Sequence, residues 1–186
     1  MDALELLLSR TSARKLQEPG PSREELETIF NCALRAPDHG RLRPWRFVAI
    51  ANEQRRHFGA LMCDLMRSRN PAISVEALQR ERDKVMRAPV IIVVGARINK
   101  NVKIPEVEQL LSAGAAAQNI MLAAHALGYG AMWKTGAPAY DDAVKRALGL
   151  EPTDAIVAFI YLGTYAKSAP LAQRACSGDF VSVWKA

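Results

Sequence analysis

Two short stretches concentrate groups that could hold an anion. Ser9-Arg10-Thr11-Ser12-Ala13-Arg14 sets two guanidiniums and three hydroxyls close together. Such groups make charge-assisted, often bidentate, bonds to phosphate oxygens. The same residues also read as a plain polar loop after a helix. The second stretch runs from Arg35 to Ile50. It carries Arg35, Asp38, His39, Arg41 and Arg43 around two prolines, Pro37 and Pro44. Pro37 ends the preceding helix, because a residue before proline avoids the α region. Pro44 keeps the connector extended, and Phe47-Val48-Ala49-Ile50 follows as a buried strand. A loop held at both ends by rigid elements is where binding groups tend to sit. On composition alone it is a solvated basic turn.

Other chemistries lack their residues. Cys32, Cys63 and Cys176 lie far apart and make neither a metal spacing nor a disulfide framework. Cys32 falls on a helix face and reads as a small core residue. No Ser-His-Asp or Cys-His arrangement is evident, so no side chain is assigned as a nucleophile. Gly128-Tyr-Gly130-Ala-Met-Trp133 is not a dinucleotide fingerprint, because the third glycine is missing and a helix precedes it. The net charge of +6 attracts anions. The basic residues are dispersed, however, so a nucleic-acid stripe is not expected. The Met1-Asp2-Ala3 start shows no basic leader. No apolar run approaches membrane-spanning length. A cytoplasmic, reducing setting is the expectation.

The elements around these stretches follow from pattern. Asp2 and Glu5 cap a short helix over 3–9, with Leu4, Leu7 and Leu8 as its apolar face. Ser22 and Glu25 form a second capping box, before Leu26, Ile29, Phe30, Ala33 and Leu34 at helical spacing. Arg35 falls at that helix's C-terminal end, where a cation suits the dipole. Residues 52–86 read as two exposed helices split at Pro71, and 67–87 as a solvated surface without chemistry. Pro89–Val94 is a β-branched run for a strand buried on both faces. Residues 105–127 give the longest helix, with Gly128 past its end. Its centre, 112–117, is nearly devoid of large side chains, so a partner can approach closely. His125 on this helix reads as packed or capping. Residues 130–135 enter the core, 141–148 form a helix, 156–163 a last buried strand, and 164–186 have little pattern. The order αα-β-αα-β-α-β-α-β makes 1–186 one domain of the α+β class.

Three segments resemble the FMN-dependent nitroreductase family, in order and spacing: Arg10-x-Ser12-x-Arg14, Arg35-Ala-Pro with Pro44-Trp-Arg-Phe47, and Ala113–Ala124 with Gly128-Tyr-Gly-Ala-Met-Trp133. The chain is closest to that family's short bacterial NAD(P)H nitroreductase branch. Asp38, His39 and Arg43 depart from the Ser, Asn and Gln common in that loop. The resemblance implies a mainly antiparallel central sheet enclosed by helices, in an intertwined homodimer with FMN at the interface. It implies cofactor contacts from Arg10, Thr11, Ser12, Arg14, Arg35, His39, Trp133, Lys134 and Thr135. Arg10 and Ser12 would take the phosphate, and Arg35 and His39 would favour the anionic reduced flavin. Arg10, Ser12, Arg35 and His39 are expected on one side of the cofactor, and Trp133, Lys134 and Thr135 of a partner subunit on the other. FMN would carry the redox chemistry. NAD(P)H and a nitroaromatic or quinone acceptor would use one face in turn, without metal. Two rivals remain: another reaction on the same fold, such as reductive dehalogenation or flavin fragmentation, and a basic, non-enzymatic binding protein.

Overall fold

Val90–Ala96 is the strand with every residue buried. Its alternate side chains feed two separate cores. Val90, Ile92, Val94 and Ala96 pack into one, and Ile91 and Val93 into the other. A β-branched run with no polar position can only lie between two layers.

The computed structural model describes residues 1–13, 15–167 and 175–184. In chain order the elements are α1 (Ala3–Ser9), β1 (Leu16–Gln17), α2 (Arg23–Ala33), a 3-10 turn (His39–Arg41), β2 (Trp45–Ala51), α3 (Gln54–Arg69), α4 (Val75–Val85), β3 (Val90–Ala96), α5 (Glu106–Ala126), β4 (Gly130–Lys134), α6 (Asp142–Ala147) and β5 (Ala155–Tyr165). The five strands form one sheet, and all strand pairs are antiparallel. β5 is its spine. β3 and β4 flank β5, and β1 pairs with its last residues, Thr164 and Tyr165. β2 lies outside β3. The first core gathers α2 and α5 on one face of the sheet; the second gathers α3, α4 and α6 on the other. This is the expected α+β architecture.

The capping signals hold. Asp2 accepts the Glu5 N–H, and Ser22 with Glu25 completes a reciprocal box. Four expectations change. Cys32 is exposed, because the face of α2 that packs inward is the one carrying Ile29 and Ala33. The α1 leucines are exposed as well, and α1 buries no residue within this chain. β2 is only partly buried, since it is an edge strand with Ala49 open to solvent. The two-residue β1 was too short for a pattern, and it pairs with the end of β5, which runs on to Tyr165.

The small side chains of α5 divide in two. Ala113, Ala116 and Ala117 are fully buried in the first core. Gly114 faces open space on a stripe with Val107 and Leu111. Gly163 marks another close approach. A Cβ there would lie 2.4 Å from Pro89 Cδ and 3.0 Å from the Gln17 carbonyl oxygen. Gly163→Ala should therefore separate β1 from β5 and cost about 1–3 kcal/mol. Urea unfolding that gives wild-type stability for this variant would contradict the packing argument.

Candidate functional site

The segment after α1 is fixed by backbone. The Ala13 N–H donates to the Ala131 carbonyl at 2.9 Å, and Ser12 bridges Ala131 in parallel. A strand residue's N–H and C=O leave on the same side, and the side alternates. The Ala131 groups therefore point away from β5. So do those of Trp133, one period further along, on the edge of β4 that no strand among the described residues covers.

Beside that edge lies a donor-rich corner. Arg10 has a buried guanidinium nitrogen, Nη1, with no hydrogen-bond partner. Among the described residues no carboxylate pairs with Arg10. The Thr11 and Ser12 hydroxyls flank it in sequence. Tyr165 stands close enough for Arg10 and Thr11 to work against the rise that burial imposes on its phenol. Ser9 Oγ is 2.8 Å from His125 Nε2, which ties α1 to the end of α5. His125 Nδ1 is also buried and unpartnered. Burial, and then the Arg10 charge, hold the imidazole below its ordinary value of 6.5. The corner thus offers donors and a fixed cation without a counter-charge, which suits an anion with several oxygens. Arg14 lies outside the described residues.

Trp133 and Lys134 point to opposite faces of the sheet. Trp133 packs on the first core, while Lys134 Nζ lies 5.7 Å from the Tyr161 ring centroid. Lys134 and Thr135 line a cavity of about 440 Å³ under α3 and α4. Its floor includes Phe58 and Phe159, 6.2 Å apart. Its rim carries Arg69, Glu81, Lys84, Arg87 and Asp141. Arg69 pairs with Asp141 and Lys84 with Glu81. Burial works to raise the Asp141 carboxyl, but Arg69 and the Val144 and Ala143 N–H groups outweigh it and hold it low. Burial raises the Tyr161 phenol, so it stays a neutral donor. The basic stretch 67–87 is therefore not merely a solvated surface. Its inward groups were invisible in sequence because charge alone does not say which side of a helix faces a neighbour.

The loop of Arg35 and His39 lies elsewhere. His39 Nδ1 is 2.6 Å from Glu108 Oε2, and the Ser112 hydroxyl donates to the Pro37 carbonyl at 2.7 Å. Both contacts sit on the first half of α5, whereas Ser9 meets its last turn. Glu108 and His125 are about 25 Å apart along the helix axis. Arg10 and Ser12 are thus grouped with β4 of the same chain, and not with Arg35 and His39 as the sequence suggested. Arg35, Arg41 and Arg43 are exposed. Arg41 and Arg43 have φ of 56° and 49°, the left-handed region that costs a non-glycine residue about 1–2 kcal/mol. Gly40, after His39, has φ 68°, a conformation that a residue with a side chain rarely adopts.

The chain and its α+β frame find their counterparts among known proteins. A profile of the nitroreductase family matches residues 7–164. The chain belongs to the nitroreductase family. The family is one of oxidoreductases. YdjA of Escherichia coli (strain K12), named as a candidate NAD(P)H nitroreductase, is 41% identical over 168 residues, covering 88% of each chain. A Haemophilus influenzae protein of the same description is 36% identical, covering 98% of this chain and 99% of its own. A nitroreductase-like protein from Bacillus cereus superposes with a TM-score of 0.84 at 20% identity, covering 100% and 97% of the two chains, and shows the fold. A candidate nitroreductase from Desulfovibrio desulfuricans, crystallised in complex with FMN, superposes with a TM-score of 0.74 at 26% identity, covering 100% of this chain and 99% of its own.

The depressed His125 gives a sign for pH dependence. The folded chain holds the imidazole neutral, while the unfolded chain takes up a proton near 6.5. Its contribution to stability is thus lost as pH falls through the unfolded value. The melting temperature should drop more between about pH 7.5 and 5.5 in wild type than in His125→Gln. Parallel curves for the two proteins would remove His125 from that titration.

Proposed function

We propose that this protein is an FMN-dependent NAD(P)H oxidoreductase that reduces nitroaromatic or quinone-type acceptors. The observation that carries the reading is the buried Arg10 Nη1, without a hydrogen-bond partner among the described residues, beside an edge of β4 that no described strand covers. Family membership and the FMN complex of the Desulfovibrio desulfuricans protein support it.

Arg10, with the Thr11 and Ser12 hydroxyls, would hold the phosphate of FMN. The Trp133 N–H on the open edge would meet the ring system. From Ala131 to Thr135 the chain advances about 13 Å, which leads from the anion corner to the mouth of the cavity. Lys134 and Thr135 would line the ring's far end there, and the apolar floor would exclude water. When bound, FMN would supply hydride transfer between NAD(P)H and the acceptor, the two using one face in turn. The chain itself supplies fixed cations near the developing negative charge, and needs no nucleophile.

Arg35 and His39 of the same chain sit at the far end of α5. They would serve the FMN of a second subunit, in a homodimer with the cofactor between protomers. Apolar residues left open support that assembly: Leu4, Leu7 and Leu8 of α1, Val107 and Leu111 of α5, and Phe180, Val183 and Trp184 near the C-terminus. Large apolar side chains open to solvent on these three segments are available to an interface. An interface that completes both core and site is usually larger than about 2,000 Å². Ala116, buried in its own chain, is the wrong probe of it; Leu111 on the open stripe is the right one.

Purified protein should be yellow and release FMN on denaturation. A colourless protein that shifts labelled DNA would replace this reading with the binding-protein one. Arg10→Ala should lose about 1.5–3 kcal/mol, or roughly ten- to a hundredfold in FMN affinity; an unchanged dissociation constant would falsify the phosphate assignment. Leu111→Glu should give a folded monomer, seen by light scattering, that has lost its FMN. A monomer that keeps FMN would exclude shared sites.

A further inference from the structure

The loop between α2 and β2 holds two arginines in a conformation that arginine does not favour. Arg41 and Arg43 have positive φ. The Arg43 N–H is bound by Asp38 Oδ2 at 2.8 Å, and its carbonyl by Arg46 Nη1 at 2.9 Å. The Arg97 N–H donates to the Pro44 carbonyl at 2.8 Å. Gly40 is wedged against Ile104, and Pro37 is held by Ser112. The backbone is therefore determined from both sides, by groups that leave the two guanidiniums alone. Neither makes an ion pair among the described residues, although Arg46 next to them is turned inward to cap the loop. Strain kept at exposed, unpaired cations points to a ligand, because a lysine-like solubilising charge needs no fixed backbone.

The loop also flanks the open stripe of α5. His39 reaches Glu108, one residue beyond Val107. A second copy covering that stripe would receive the loop at its own cleft. The loop would then contribute Arg35 and His39 to the cofactor, with Arg41 and Arg43 further out. Planar, always-charged forks at that place recognise phosphate or carboxylate.

We propose that Arg41 and Arg43 select a substrate carrying an anionic group, a phosphate on the nicotinamide or a carboxylate on the acceptor, at the outer rim of the neighbouring subunit's flavin cleft. The inference rests on the functional reading above. Asp38 is the positioning residue, since its carboxylate fixes the Arg43 backbone.

The test is steady-state kinetics of the FMN-loaded protein, comparing wild type, the double variant Arg41→Gln/Arg43→Gln, and Arg41→Lys/Arg43→Lys. Two ratios of kcat/KM are read: NADPH against NADH, and 4-nitrobenzoate against nitrobenzene. In the glutamine variant at least one ratio should fall roughly tenfold or more, through KM. The lysine variant should recover part of the loss. Added salt should erode the affected ratio in wild type. A fall in the first ratio identifies the nicotinamide phosphate, and a fall in the second identifies the acceptor carboxylate. Both ratios unchanged, in a yellow protein that turns over, would overturn this inference alone. A preparation that binds no FMN would instead overturn the functional reading. Asp38→Ala keeps both guanidiniums, and should lower the same ratio while its flavin content stays at the wild-type level. An unaltered ratio in that variant would also count against the proposal.

Discussion

One backbone hydrogen bond organises the candidate site. The Ala13 N–H meets the Ala131 carbonyl, and that contact anchors the chain after α1 to the outer side of β4. It covers one residue of the edge and leaves the next open. An uncovered sheet edge is ordinarily a hazard, because unpaired N–H and C=O groups invite another strand. Here the edge is short, and a strand would have to pass the Arg10 corner to reach it. A ligand that brings its own acceptors and a negative charge uses the same groups without that obstacle.

The long helix α5 sets the second constraint. Its length keeps Glu108 and His125, near its two ends, about 25 Å apart. The anion corner is pinned at one end by Ser9 and His125, and the basic loop at the other by Glu108 and Ser112. No side-chain rotation joins them within one chain. If both groups serve one cofactor, two copies must supply them. The alanines facing the sheet let α5 lie close to it, while Gly114, Val107 and Leu111 leave its other side flat and apolar. A single helix therefore separates the halves of the site and offers the surface by which another copy could reunite them.

Charge is distributed in the same divided way. Around the cavity, two cations are paired: Arg69 with Asp141, Lys84 with Glu81. Among the described residues, those of the Arg10 corner and of the loop of Arg41 and Arg43 make no ion pair. Pairing in the cavity wall stabilises a polar rim on an apolar floor. Unpaired cations would cost more to bury than they return, unless an anion arrives.

Much of this was legible in the sequence. Local rules set the helix starts at Asp2 and Ser22, the turn after Gly128 and the doubly buried β3, because capping, left-handed turns and β-branched runs depend on neighbours in the chain. Family likeness supplied the Arg10–Ser12 segment and the Trp133 strand. Other features needed the tertiary structure. Cys32 read as core and the α1 leucines as an apolar face, yet the inward direction of an amphipathic face is decided by what packs against it. Glu81, Lys84 and Arg87 read as solvated, yet α4 turns them to a cavity that α3 and β5 create. The separation of Arg35 and His39 from Arg10 is invisible in sequence order, where they lie close. Sequence determines which groups a short segment can present, since that chemistry is local. Which groups meet is decided by the 21-residue helix between them, and a rigid spacer acts only in three dimensions.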